Sequence, residues 1–244
     1  FPAPTPLTGP RPLVITGQDI SLDILARHME KQLPGWRPLR AQAGSLDSLI
    51  AMYRGEADIV STHLLDGDSG EYNLPYIRKL LVGSSFVVVN LLSRSAGLYV
   101  QQGNPLKLAH WSDLNRPGLR FVNREKGSGA RVLLDEQLRL HGMKPERLLG
   151  YERIQNNHLG VAAAVASGDA DVGVGIEKAA SLVSGIEFIP LIQERYDLVC
   201  LKTKDNESWI PSLVQLLRSD DFRKELQALA GYDLSRTGEI LLET

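Results

Sequence analysis

The sequence predicts an α/β fold built as two similar lobes, and three observations carry that prediction. Residues 13–61 alternate strand-like and helix-like apolar patterns, the grammar of a parallel sheet with crossover helices. One pattern occurs twice: a helix, a Gly-x-Ala-Asp turn and an apolar strand, first through Gly55-Glu56-Ala57-Asp58 and again through Gly168-Asp169-Ala170-Asp171. Two apolar stretches, 86–92 and 196–202, stand where the chain would cross from one lobe to the other.

The elements follow in order. Residues 13–16 (Leu-Val-Ile-Thr) read as a buried strand and Gly17-Gln18-Asp19 as its turn. Ser21 is placed to cap a helix over 22–33, whose Leu22, Leu25, Ala26 and Met29 share one face, and Pro34-Gly35 ends it. A strand near 37–42 leads to Gly44-Ser45 and a helix to about residue 54. Its stripe is Leu46, Leu49, Ile50 and Tyr53; Gly55 stops it before a strand at 57–61. Residues 66–79 read as a polar, turn-rich loop. Strands at 86–92 and 97–101, a turn at Gly103-Asn104-Pro105, and a short helix from Trp111 capped by Ser112 or Asp113 come next. A helix over 129–141 ends at Gly142, and another covers 157–167 before a strand at 172–174. The remainder reads as a helix at 177–184, strands at 187–190 and 196–202, and a helical tail over 209–230 with Pro211 near its start.

Composition narrows the function. The chain has 244 residues, 43% hydrophobic and 23% charged, enough for one large or two modest cores. A net charge of -2 leaves no basic surplus for nucleic acid. The single cysteine, Cys200, excludes an intrachain disulfide and a cysteine-cluster metal site, and its apolar neighbours mark it as buried. No apolar run is long enough to cross a bilayer. Residues 1–12 alternate proline as a linker does and carry no initiator Met, so a signal sequence, a tag or another domain is expected upstream.

The chemistry gathers around residues 121–131. Phe121-Val122 ends a strand, Gly127-Ser128-Gly129 turns, and a helix begins at Ala130-Arg131. Backbone N–H groups converge at such a turn, and a helix start is partly positive, so a small anion suits it. Arg124, Lys126 and Arg131 add charge beside it. No Gly-Lys-Ser/Thr follows, which excludes a nucleotide-triphosphate loop. In a two-lobed fold the matching turns would face one cleft: Thr16-Gly17-Gln18-Asp19 and Gly44-Ser45 from one side, Gly127-Ser128-Gly129-Ala130 and Asn157-His158 from the other.

Each candidate has a plainer alternative. Ser45 donates to the ligand or simply caps its helix. Arg124 contacts the anion or pairs with Glu125 or Asp135. Asp19 orients Arg124 or His63. His63 and His158 pair across the cleft or are structural. Tyr72-Asn73 forms a lid or only a turn. Glu177, after Gly175-Ile176, is a pocket group or an acid favoured by its helix dipole. There is no Gly-x-Ser-x-Gly elbow, no loop cysteine and no third ligand to join the histidines around a metal. Binding without catalysis, cofactor or metal is therefore expected, with a small anion as the partner.

Several segments together resemble the molybdate-binding-like branch of the type-II periplasmic-binding-protein superfamily. They are Gly44-Ser45-Leu46 with Arg54-Gly55-Glu56-Ala57-Asp58, Gly70-Glu71-Tyr72-Asn73-Leu74-Pro75, Phe121-Val122-Asn123-Arg124 with Gly127-Ser128-Gly129, Gly173-Val174-Gly175-Ile176-Glu177, and Glu194-Arg195-Tyr196-Asp197-Leu198. The resemblance implies two Rossmann-like lobes joined by a two-strand hinge, with 13–92 plus 196–244 as lobe 1 and 93–195 as lobe 2. It implies an oxyanion such as molybdate or tungstate as ligand, although Ala130 replaces the threonine of the family pattern and Thr16-Gly17 replaces a Gly-Ser step. Such domains are often fused to helix-turn-helix regulators or molybdopterin-biosynthesis domains. The expected role is thus the cytoplasmic sensor of a transcription regulator, meeting DNA only through a domain outside this chain. The alternative is a periplasmic solute-binding component of an ABC transporter, if a signal peptide has been removed.

Overall fold

The computed structural model describes residues 11–244. In chain order it contains β1 (Arg11–Thr16), α1 (Ser21–Gln32), β2 (Trp36–Ala41), α2 (Ser45–Tyr53), β3 (Ile59–Thr62), α3 (Leu74–Leu80), β4 (Phe86–Gln101) and β5 (Phe121–Arg124). It continues with α4 (Gly129–Leu140), β6 (Ile154–Gln155), α5 (His158–Ala166), β7 (Val172–Ile176), α6 (Glu177–Ala180), β8 (Ile186–Leu201), α7 (Ile210–Arg218), α8 (Asp220–Gln227), β9 (Tyr232–Asp233) and β10 (Ile240–Glu243). The expected linker lies outside the described residues except for Arg11 and Pro12, which belong to β1.

The strand order is β2-β1-β3-β8-β4-β7-β5-β6. Three parallel strands at each end flank the antiparallel pair β4 and β8, which run through both halves. Alternation fills both faces of each half. In the first, Leu13 and Ile15 join the core under α1, α7 and α8, while Val14 packs against the core under α2 and α3. In the second, Phe121 and Val122 likewise enter opposite cores.

The repeated Gly-x-Ala-Asp turn has the same bonds in both halves. Gly55 and Gly168 have φ of 77° and 80°, a left-handed conformation that glycine adopts freely. The Asp58 carboxylate accepts the Val14 N–H at 2.8 Å, and Asp171 accepts the Arg120 N–H at 2.8 Å. Each aspartate ties its strand to the parallel neighbour, so the echo is one structural device used twice.

Five expectations are corrected. The stretches 86–92 and 97–101 are one 16-residue strand, as are 187–190 and 196–202. The polar Ser93-Arg94-Ser95 interrupts the apolar pattern, but Arg94 stands opposite Glu194 in register, and the two pair inside the sheet. Within the supposed loop 66–79 lies the start of α3, with Pro75 in its first turn and Leu74 and Ile77 buried. The helical tail breaks at Ser219, which caps α8, and the chain then adds β9 and β10 to β4. Finally, Ser21 caps nothing; the Asp19 carboxylate accepts the Ser21 N–H at 2.8 Å. At the short turn from Trp111, Asp113 folds back onto the N–H groups of Ala109 and His110.

Candidate functional site

The cleft is formed where strands end and helices begin, at the junction of the two halves. A cavity of about 240 Å³ lies there, lined by the turn after β1 (Gln18, Asp19, Ile20), His63 after β3, and Arg94 and Tyr196 from the crossing strands. The far side supplies His158 and Leu159 from α5, Ile176, Lys178 and Ala179 around α6, and Leu182; Tyr232 comes from the C-terminal strand β9.

A chain of buried charges forms its floor. Arg94 Nη1 donates to Asp19 Oδ2 at 2.5 Å, and Arg94 Nε donates to Glu194 Oε1 at 2.7 Å. The guanidinium also lies 4.5 Å over the Tyr196 ring. Asp19 accepts a second bond from the Tyr232 hydroxyl at 2.7 Å. Glu194 Oε1 stands 2.9 Å from His63 Nδ1, off the line of the ring N–H. Burial pushes Glu194 upward, but Arg94 and His63 outweigh it and hold the carboxyl at about 2. Asp19 is likewise raised by burial and lowered more by Arg94, Ser21 and Tyr232. Arg94 is therefore compensated twice.

Both histidines are held below their ordinary titration range. Burial lowers His63 more than Glu194 raises it. Burial lowers His158 further, with Arg124, Arg94 and His63 adding to the effect. Among the described residues, His158 Nδ1 is buried without a hydrogen-bond partner, as is Lys178 Nζ. Lys178 lies 4.8 Å over the Tyr232 ring; burial lowers its amine, and Asp19 partly restores it. A buried donor without a partner is costly, so a ligand that supplies one is favoured.

The halves touch directly across the cleft. Gln18 accepts from Arg124 Nη2 at 2.8 Å and donates to Glu125 at 3.0 Å. The Leu46 N–H donates to the Gly127 carbonyl at 3.0 Å. Further out, the Gly67 N–H donates to Glu136 at 2.6 Å and Arg139 pairs with Asp68 at 2.8 Å. A Cβ on Gly44 would stand 2.9 Å from the Gly127 carbonyl oxygen, so glycine there permits close approach. Gly44 itself has an extended backbone open to any residue. Gly44→Val is therefore expected to hold the halves apart with the fold intact. Solution scattering would read this as a larger radius of gyration with unchanged circular dichroism; an unchanged radius would count against it.

Of the expected residues, Gln18, Asp19, His63 and His158 line the cavity. Asp19 meets Arg94 rather than Arg124 or His63 through its carboxylate. Arg124 pairs with Glu125, while Asp135 pairs with Arg131. Ser45 Oγ accepts the His63 N–H, and Ser128 Oγ caps the Arg131 N–H while donating to the Glu125 carbonyl. Gly129 lies against the His63 ring, Gly175 against Tyr99, and Gly17 against Ser61. Thr16 Oγ1 and the Tyr72 hydroxyl are buried without hydrogen-bond partners, outside the residues that line the cavity. Ala130 packs into the core beside Leu133, which explains the missing hydroxyl. Asn73 is no lid: fully buried, it joins Thr62, Leu64 and Asp197 where the crossing strands meet β3. Glu177 is exposed, and its neighbour Lys178 faces the cavity. Arg94, Lys178 and Tyr232 escaped the sequence reading, and Glu194 and Tyr196 entered it only within a resembling segment, not as site residues.

Comparison with known proteins places this geometry. The sequence pattern of the PBP superfamily domain matches residues 26–218. The chain is 49% identical to the protein YvgK of Bacillus subtilis (strain 168) over 232 residues, 95% of this chain and 74% of that relative. An ABC-type phosphate transport receptor from Vibrio cholerae superposes with a TM-score of 0.61 at 16% identity, over 90% of this chain and 98% of the other. PhnD1 from Prochlorococcus marinus, in complex with methylphosphonate, gives 0.63 at 15% identity, over 95% and 96%. At such identities these likenesses concern the fold: two lobes, each α/β, as in type-II periplasmic binding proteins.

Proposed function

The chain belongs to the PBP superfamily, and from that premise we propose that it is a non-catalytic solute-binding domain that closes its two lobes over a small anion, as the binding component of an ABC transporter. The observation that carries this reading is the inter-lobe cavity holding Lys178 Nζ and His158 Nδ1 without partners. The phosphate receptor and the methylphosphonate complex add support, since proteins of this fold there serve small anions. Molybdate and tungstate stay within the proposed class and belong in its test.

The test is thermal unfolding with molybdate, tungstate, phosphate, methylphosphonate and short carboxylic acids. A ligand at a hundredfold excess over its dissociation constant adds about 2.7 kcal/mol, a rise of about 5–11 °C for a chain of this size. No rise with any of them would sink the proposal.

A second reading is the sensor of a transcription regulator. It draws on the Bacillus relative, about a quarter of whose length lies outside the match. The readings part on output: ligand-dependent stimulation of a membrane ABC ATPase supports transport, and ligand-dependent DNA retardation by the full-length protein supports regulation.

A further inference from the structure

Charge balance and the cavity mouth together narrow the ligand. Around the cavity, Arg94 is matched by Asp19 and Glu194, and Arg124 by Glu125. Among the described residues, Lys178 is the cavity-lining cation with no ion pair or hydrogen bond. With Lys178 these side chains sum to zero, so every negative charge on a ligand adds to the cavity, and a single one set on Lys178 adds the least. A dianion such as molybdate would set two such charges beside the Asp19 carboxylate, which lines the cavity.

The size and the walls point the same way. A cavity of about 240 Å³ corresponds to about eight waters at their liquid volume, against four oxygens in a tetrahedral oxyanion. Its mouth is ringed by Ile20, Leu159 and Leu182, which are 50%, 46% and 67% exposed. Three exposed aliphatic side chains converge there from both lobes. They leave apolar surface in water that a bare oxyanion would not cover.

We propose that the ligand is an organic monoanion with an apolar body, its carboxylate-like head on Lys178 and His158 and its body against Ile20, Leu159 and Leu182. The inference rests on the solute-binding reading and narrows it to a class that bare oxyanions do not meet. Neutral His158 donates one N–H and Lys178 its ammonium, so the head receives two donors. Beyond them the ligand meets Ile176, Tyr196 and the aliphatic rim.

The experiment measures dissociation constants by calorimetry for acetate, butanoate and hexanoate, with hexanamide, molybdate and phosphate beside them. Affinity is expected to rise about fourfold per added methylene, the fold-change equivalent to about 0.8 kcal/mol. Hexanamide should bind at least tenfold more weakly than hexanoate in the unmodified protein. Lys178→Met should weaken hexanoate at least tenfold, and Leu182→Ser should weaken hexanoate more than it weakens acetate. Lys178 is only partly buried and Leu182 is exposed, so neither change threatens the core. An affinity independent of chain length, equal binding of amide and acid, or indifference to Lys178→Met would overturn the proposal. Binding of molybdate or phosphate without any carboxylate would overturn this ligand class and leave solute binding standing. No binding by any of the six would overturn solute binding itself.

Discussion

Arg94→Met is expected to lower the melting temperature by about 6–20 °C. Arg94 is 4% exposed and holds two carboxylates that are as deeply buried, Asp19 and Glu194. Methionine keeps much of the stem's volume but leaves both charges unpaired. Removing one partner of a buried ion pair costs about 3–5 kcal/mol, and each kcal/mol moves the midpoint of a domain this size by about 2–4 °C. The loss arises from the stranded carboxylates more than from the value of the bond itself. The double variant Arg94→Met with Glu194→Gln should therefore recover part of the loss, because it leaves one buried charge where the single variant leaves two. Calorimetric melting of both proteins decides it. A single variant that melts within 2 °C of the parent, or a double variant that is simply additive, would refute this account.

The fold was legible because its signals are local. Helical stripes such as Leu22, Leu25 and Met29 repeat within a dozen residues, and the Gly-x-Ala-Asp turn carries its own glycine and its own strand-bridging aspartate. The turn-borne cavity residues Gln18, Asp19, His63 and His158 were legible for the same reason, since strand-to-helix turns announce themselves. The charged floor was not. Arg94 and Glu194 lie mid-strand, 100 residues apart, and each looks locally like a break in an apolar run. Tyr232 reaches Asp19 across 213 residues, from a two-residue strand that no periodicity marks. The serines show the converse difficulty. Ser45 and Ser128 stand at helix starts, where a cap and an anion donor look identical in sequence; in the structure both hydroxyls hold backbone hydrogen bonds. At β7 the reading fell one residue short, because the turn of α6 points Glu177 outward and sends Lys178 to the cavity.

Stability is expected to fall as the pH drops from about 7 toward 5, ahead of the usual carboxylate range. His63 and His158 both have their titration lowered from 6.5, chiefly by burial, so the folded protein keeps them neutral where the unfolded chain begins to bind protons. The unfolded state then binds more protons, and stability rises with pH across that window. The contribution is fully present above pH 6.5 and is lost on acidification. Each such histidine adds a slope of at most about 1.4 kcal/mol per pH unit. Below pH 4.5 the same sign continues through Glu194, held at about 2, and through Asp19. Asp197 opposes them: burial raises its carboxyl above 3.8, so acid relieves it. The comparison of parent with His158→Gln, rather than the raw slope, therefore isolates the histidine. Urea unfolding at intervals between pH 7.5 and 5 should give a midpoint that falls steadily in the parent and less steeply in the variant. A parent midpoint flat across that range, or a variant with the parent's slope, would mean that His158 takes up its proton inside the fold. A cleft that tolerates a charged His158 would then carry a second free cation beside Lys178, and with it room for a second negative charge on the ligand.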